Sequence, residues 1–178
     1  MSIRHGLLAL LQHGPRYGYQ LRAAFEHYTK ATWPLNIGQV YTTLARLERD
    51  GLVRALPAGE GRQRPYELTD AGRAEVAHWF TNPVRRRGRP RDELVIKLAL
   101  ALTTPGVDVP AVVQAQRTAT TAALAEYRQR RATLTEPSER SAQLVLDAMI
   151  SQAEAELRWL DHCEATLLRA DDPPATAP

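Results

Sequence analysis

Apolar residues recur at helical intervals through most of the chain, and the period changes to alternation only once. Ile3, Leu7, Leu8 and Leu11 form a stripe over residues 3–13, with Ser2 placed to cap it and Gly14-Pro15 to end it. A second helix is predicted from Tyr17 to about Tyr28, where Leu21 and Phe25 stand four residues apart. After a connection containing Trp33-Pro34, the stretch Asn36 to Gly51 predicts a third helix with Ile37, Val40, Leu44 and Leu47 on one face. Asn36 can cap its start, and Gly51 can take the left-handed conformation that stops it. Alternation follows in Leu52–Leu56 and Gln63–Leu68, two strands around the turn-rich Pro57-Ala58-Gly59-Glu60-Gly61. Thr69-Asp70-Ala71-Gly72 opens a fourth helix, anchored by Val76, Trp79 and Phe80 and closed by Asn82-Pro83.

Residues 85–91 (RRRGRPR) form a basic, Gly/Pro-broken linker, and beyond it the pattern is helical throughout. Asp92-Glu93 begins a short apolar helix to about Thr103, which Thr104-Pro105-Gly106 breaks. Pro110 fits the first position of a helix reaching about Leu134. Ser138 can cap a last helix to about Arg169, roughly 45 Å at 1.5 Å per residue. The end, residues 170–178 (ADDPPATAP), has the composition of a disordered tail. The expected architecture is mainly α with a small β-wing: a module over residues 1–84, the linker, and a helical region over residues 92–169.

In the last helix Leu146, Met149, Ala153, Leu157, Leu160, Cys163 and Leu167 follow a three/four spacing, and so long a seam needs a partner along its whole length. The stripe available within the chain, Val112, Ala119, Ala123 and Tyr127, is narrow and alanine-rich. The seam therefore predicts burial against a second copy, with antiparallel packing inside one chain as the alternative.

On the third helix Gln39, Thr42, Thr43 and Arg46 fall opposite the apolar stripe. Amides, hydroxyls and a guanidinium can hydrogen-bond to base edges in a major groove about 12 Å wide, which admits one helix. Such faces are usually just solvated; what favours a duplex is the position of this one, between a helical core and an arginine-bearing hairpin. Arg62 and Arg64, on the same side of the second strand, can lie on phosphates or enter a minor groove, or guard an exposed edge. The whole reads as a winged helix-turn-helix.

Charge supports this. Residues 1–91 hold 15 Lys+Arg against 7 Asp+Glu, a net +8, and residues 92–178 hold 8 against 13, a net −5. A basic half joined to an acidic half is expected when only the first meets a polyanion. Other chemistry finds little footing. Cys163 is the single cysteine, which excludes an intramolecular disulfide and points to a reduced, cytoplasmic compartment. His5, His13, His27, His78 and His162 are scattered without metal-ligand spacing. There is no G-x-S-x-G, no phosphate-cradling glycine loop, no carboxylate pair placed for acid–base work and no cofactor motif, so an enzyme is not expected. No run approaches the ~20 apolar residues that span a bilayer, so no membrane partner is expected.

Several motifs then combine. Tyr17-Gly18-Tyr19-Gln20-Leu21, the run Gln39 to Val53 with Tyr41, Arg46, Glu48, Asp50 and Gly51, and Arg64-Pro65-Tyr66-x-Leu68-Thr69-x-x-Gly72 occur in order over residues 1–100, followed by Asp92-Glu93-Leu94-x-x-Lys97-Leu98. In this the chain resembles the phenolic-acid-decarboxylase-repressor family, PadR, of bacterial transcriptional regulators. The resemblance implies a homodimer, paired through a C-terminal helical dimerisation domain, whose winged domains bind double-stranded DNA at a pseudo-palindromic operator, usually as a repressor. It also implies a response to small apolar or aromatic effectors near the dimer interface. Asn36, Gln39, Tyr41, Thr42, Thr43, Arg46, Arg62 and Arg64 are then the DNA-binding candidates, joined by Tyr17 and Tyr19 at the start of the second helix, where the dipole favours phosphate. Tyr41 can pack into the core or reach a phosphate, and the resemblance implies the latter; Tyr19 can equally be core. The seam residues Leu146, Met149, Ala153, Leu157, Leu160 and Leu167 are the dimerisation candidates. Tryptophans are usually core anchors; Trp159, beside the seam, and Trp33 are the effector candidates. Arg87-Gly88-Arg89-Pro90 coincides with the core of an AT-hook but reads as ordinary linker. The rival function is an adaptor or small-molecule-sequestering protein that keeps the winged fold without reading DNA, and the basic excess of the first half argues against it.

Overall fold

The computed structural model describes residues 3–58, 63–84 and 92–170, apart from the side chains of residues 167–170. Ser2, the hairpin tip with Arg62, the linker with its Arg87-Gly88-Arg89-Pro90 run, the side chain of Leu167 and the tail beyond Ala170 lie outside the described residues. Two compact units, Met1–Arg86 and Arg87–Pro178, divide the chain.

In the first unit α1 (Ile3–Leu11), α2 (Gly18–Tyr28) and α3 (Ile37–Arg49) precede a two-stranded antiparallel sheet, β1 (Val53–Ala55) and β2 (Tyr66–Leu68), and α4 (Asp70–Thr81). Leu7, Leu8 and Leu11 of α1, Leu21 of α2, and Val40, Leu44 and Leu47 of α3 meet in one core, which Val53, Leu68 and Val76 close from the hairpin and α4. Each such side chain contributes about 1.5–3 kcal/mol by burial, so this single cluster is what holds three short helices together. Ile37 departs from the stripe predicted for it: at the first turn it is 37% exposed, because the core ends at Val40.

The strands are shorter than Leu52–Leu56 and Gln63–Leu68. Val53 pairs with Leu68, Arg54 with Glu67 and Ala55 with Tyr66. One more bond, Leu56 N–H to Pro65 O at 2.8 Å, extends the ladder until Pro65, which has no N–H to return. Arg16 supplies a third edge through reciprocal backbone bonds with Tyr66, at 3.0 and 2.9 Å. That link ties the turn before α2 to the wing.

Packing at the wing's exit explains the Thr-x-x-Gly pattern. Thr69 Oγ1 accepts from Gly72 N–H at 3.1 Å and donates to Gly51 O at 2.7 Å. A Cβ on Gly72 would lie 2.0 Å from the carbonyl oxygen of Leu52, so α4 approaches the chain closely enough that only glycine fits.

In the second unit α5 (Glu93–Ala101) leads to a long antiparallel hairpin of α6 (Val109–Ala132) and α7 (Arg140–Ala170). Asp92 caps α5 through bonds to Leu94 and Val95 N–H. Asp108 caps α6, accepting from Ala111 N–H at 2.9 Å, and Pro110 stands in the first turn, at the second position rather than the first. Ser138 caps nothing; it lies in a 3-10 turn, Pro137–Glu139, before α7. Across the hairpin, Arg117 bridges Asp161 and Glu164, while Arg128 meets Glu154 and Arg131 meets Asp147.

The seam of α7 packs within the chain. Leu160 joins Leu98 and Val113 in one apolar cluster, and Leu146 joins Leu134 and Ala142 in another. Between them the layer facing α6 is filled by Glu156 rather than Leu157. Gln116 Nε2 donates to Glu156 Oε1 at 2.9 Å and Thr120 Oγ1 donates to the same oxygen at 2.5 Å. Both residues satisfy a three/four spacing. The two donors on α6 decide for the carboxylate, which charge-assisted hydrogen bonds hold there.

Candidate nucleic-acid interface

α3 is held from both ends by its own sequence. Asn36 Oδ1 accepts from Gly38 N–H at 2.8 Å, so the Asn36 side chain is occupied in starting the helix. Gly51 takes φ +72°, the left-handed stop that a residue with a Cβ adopts at a cost of about 1–2 kcal/mol. With Val40, Leu44 and Leu47 fully buried, the opposite face is fixed toward solvent.

On that face Gln39, Thr42 and Arg46 are exposed and Thr43 is half-buried at its edge. Thr42 Oγ1 donates to Gly38 O and Thr43 Oγ1 to Gln39 O, both at 2.8 Å. Each hydroxyl hydrogen is therefore engaged within the helix. What the threonines still offer is an acceptor lone pair, suited to a base amino group, and a methyl, suited to thymine. Arg46 has no ion-pair partner among the described residues, and its fork can engage a guanine edge in a bidentate manner. Arg49 was missing from the sequence-based set. It stands three residues beyond Arg46 with a side chain 76% exposed and only a 3.8 Å approach to Asp50. The i, i+4, i+7 relation of Thr42, Arg46 and Arg49 was the signal for it.

Tyr41 lies on α3, and Tyr17 and Tyr19 lie at the start of α2; each sits differently. The ring of Tyr41 packs on the core and over Gly18, where an added Cβ would be 2.8 Å from the ring. This contact places the start of α2 beside the first turns of α3. Tyr17 and Tyr19 stack with centroids 5.7 Å apart. Tyr19 is half exposed, so the core alternative for it does not apply. The backbone N–H of Tyr17 donates to Gln20 Oε1 at 3.0 Å, closing the first turn of α2. On the wing Arg64 is exposed. Tyr66 beside it is half-buried, and burial first, then the charge of Glu48, pushes its hydroxyl above the ordinary value of 10.0. At neutral pH it is therefore a hydrogen-bond donor. On the flank, Arg4 engages Asp50 at 2.5 Å and ties α1 to the end of α3.

The remaining candidates lie elsewhere. Leu146, Ala153 and Leu160 are buried inside their own unit, and Met149 and Leu157 are half-buried. The expectation that α6 is too narrow to cover the seam is corrected: the antiparallel alternative accounts for these three, because Val113, Thr120, Leu124 and Leu134 all turn inward. Among the described residues, the large apolar side chains left open on this unit are instead Val95, Ile96, Leu100 and Leu102 around α5, Val107 before α6, and Leu144 on α7. Trp159 lines a cavity of about 270 Å³ between α5, α6 and α7. Trp33 belongs to the other unit, in the α2–α3 connection, and is 38% exposed. Among the described residues no cluster of His, Cys, Asp and Glu could hold a metal ion, and no helix is long and apolar enough to cross a membrane.

Comparison with known proteins bears on both units. The profile of the PadR-like transcriptional regulator family matches residues 7–78, and that of the virulence activator alpha C-terminal region matches residues 90–167. A probable transcriptional regulator of Mycobacterium tuberculosis is 30% identical, over 94% of this chain and 98% of its own length. The fold is shared with Bacillus subtilis PadR, solved with operator DNA (TM-score 0.69, 20% identity, 92% of this chain and 97% of that one) and with p-coumaric acid (TM-score 0.72, the same identity and shares). It is also shared with the Vibrio cholerae virulence activator AphA, at TM-score 0.69 and 22% identity over 95% of this chain and 99% of that one.

Proposed function

Since this chain belongs to the PadR-like family of transcriptional regulators, we propose that it acts in the cytoplasm as a homodimeric repressor. In this reading two copies of α3 enter successive major grooves of a pseudo-palindromic operator, about 34 Å apart, one turn of B-DNA. The observation that carries it is the α3 face itself. Gln39, Thr42 and Arg46, with Arg49, are exposed together on a helix whose other side is locked into the core. Arg64 on the wing and Tyr17 and Tyr19 at the start of α2 supply phosphate contacts, and Tyr41 orients α3 against α2. Bacillus subtilis PadR, which shares the fold, was solved with operator DNA, and this supports an operator as the partner.

Pairing of the two copies falls to the second unit. Leu146, Ala153 and Leu160 serve the hairpin from within, so the second copy has to cover the open residues of α5 and Leu144, with Met149 and Leu157 at the margin. An effector bound in that unit, small and apolar or aromatic, releases the operator by favouring a dimer geometry with the wrong helix spacing. The fold shared with a protein solved with p-coumaric acid supports an effector of that size.

Band-shift titration on the DNA upstream of the neighbouring gene tests the reading. Arg46→Ala should weaken binding by roughly 5- to 150-fold, the worth of one bidentate base contact of about 1–3 kcal/mol, with the dimer intact by light scattering. Equal affinity of mutant and wild type at matched salt would overturn it. A second reading, activation, is favoured by the match of residues 90–167 to a virulence activator region. A reporter fused to the same upstream DNA separates the two by the sign of its response to the regulator.

A further inference from the structure

The cavity beside Trp159 has a chemical character that the function above does not specify. Leu98 of α5, Val113 of α6 and Trp159 of α7 supply its walls, and Leu102 and Val109 stand at its edges. The cavity is open to solvent on the side where Ala99, Leu102, His162 and Thr166 are exposed, and Leu98 and Val113, buried in one apolar cluster, form its floor. Its volume of about 270 Å³ approaches the lower end of ligand pockets, which run from about 300 Å³.

Polar groups are few, and their state can be read. Cys163 lines the cavity as a neutral thiol, since burial pushes its ionisation above the ordinary value of 9.0. Thr166 Oγ1 donates to His162 O at 2.8 Å, so its hydrogen is taken and it can only accept. The imidazole of His162, at the exposed side, is the remaining hydrogen-bonding side chain. No lysine or arginine is among the described residues that line the cavity. A carboxylate pressed against the floor of Leu98 and Val113 would lose hydration there with no guanidinium or ammonium among the described lining residues to meet it.

We propose that this cavity binds an uncharged planar molecule, an aromatic ring stacked on Trp159 with one polar substituent toward His162, and discriminates against the corresponding carboxylic acid. The proposal rests on the reading that the second unit responds to a small effector, and it names the class of effector.

A matched pair isolates the charge: methyl 4-hydroxycinnamate and 4-hydroxycinnamate at pH 7. Both are titrated into the full-length chain carrying Trp33→Phe and Trp79→Phe, so that Trp159 alone reports by fluorescence. The ester should change Trp159 emission saturably and bind at least tenfold more tightly than the acid. Ala99→Phe, at an exposed position on the cavity wall, and Val113→Phe, within it, should each weaken the ester at least tenfold. Circular dichroism melts establish which of the two variants is folded, and a folded one suffices. Binding of the acid as tight as that of the ester overturns the proposal. So does absence of a saturable response, or unchanged affinity in a folded cavity-filling variant. Operator affinity, measured in the same samples, keeps the two readings apart: ester binding without loss of operator binding supports the site and overturns release by effector.

Discussion

Substituting Gly72 by alanine sets helix propensity against packing, and the geometry says which wins. Gly72 is the third residue of α4, a place where propensity alone favours alanine by up to about 1 kcal/mol. Its added Cβ would stand 2.0 Å from the carbonyl oxygen of Leu52 and 3.0 Å from Leu68 Cδ2, so α4 has to withdraw by about 1 Å. The same carbonyl accepts from Thr69 N–H at 3.1 Å, and Thr69 Oγ1 joins Gly51 O to Gly72 N–H. Overpacking costs about 1–3 kcal/mol, and two weakened hydrogen bonds add about 1 kcal/mol each. Net of the propensity gain, Gly72→Ala should destabilise the first unit by about 2–4 kcal/mol. For a unit of this size, at about 4–8 °C per kcal/mol, that corresponds to a fall in melting temperature of roughly 8–32 °C. Thermal and urea unfolding followed by circular dichroism measure it. Ala74→Gly, exposed on the same helix, is the control, expected to cost only about 1 kcal/mol. If Gly72→Ala melts at or above the wild type, the close approach of α4 to Leu52 is not what the Thr-x-x-Gly pattern secures.

Gly18→Ala should destabilise the protein by about 1–3 kcal/mol through its clash with the Tyr41 ring, and Tyr41→Leu in the same chain should recover part of that loss. Additive losses in the double mutant would show that the ring is not what Gly18 accommodates. Asp50 is held below the ordinary carboxylate value of 3.8, first by its hydrogen bond from Arg4. A carboxyl with a depressed native pKa stabilises above its unfolded value and loses that contribution as pH falls through the native one. Unfolding midpoints of the wild type should therefore drop more steeply below about pH 4 than those of Asp50→Asn. Parallel curves would remove the linkage. Cys163, half-buried with its ionisation raised by burial, should react with iodoacetamide at pH 8 at least tenfold more slowly in the native chain than in urea. Equal rates would show that the thiol is open to solvent.

Features decided within a few residues were legible in the sequence. Asn36 starts α3 and Gly51 stops it because a cap and a left-handed turn are local events, and Val40, Leu44 and Leu47 reach the core because one helical face must. Ile37 shows where that logic ends: an apolar residue in register can still lie beyond the edge of the core. The hairpin of the second unit was harder, since spacing admits both Glu156 and Leu157, and the choice lies with Gln116 and Thr120, 40 and 36 residues away. The same distance hid how far α6 covers Leu146 and Leu160, so the seam looked emptier in one dimension than it is. Arg49, by contrast, was visible in the helical spacing. Gly18 under Tyr41 and Gly72 under Leu52 stood inside recognisable motifs, yet only the folded chain gives the reason for each.

The carboxylate rung at Glu156 gives the long hairpin two apolar storeys instead of one continuous zip. Loosening can then stop at the polar landing: the storey around Leu98, Val113 and Leu160 can breathe or rearrange about a guest while the one around Leu134, Ala142 and Leu146 keeps the far end clasped. Amide exchange should accordingly divide α7 into two stretches of unequal protection, with the step near Glu156.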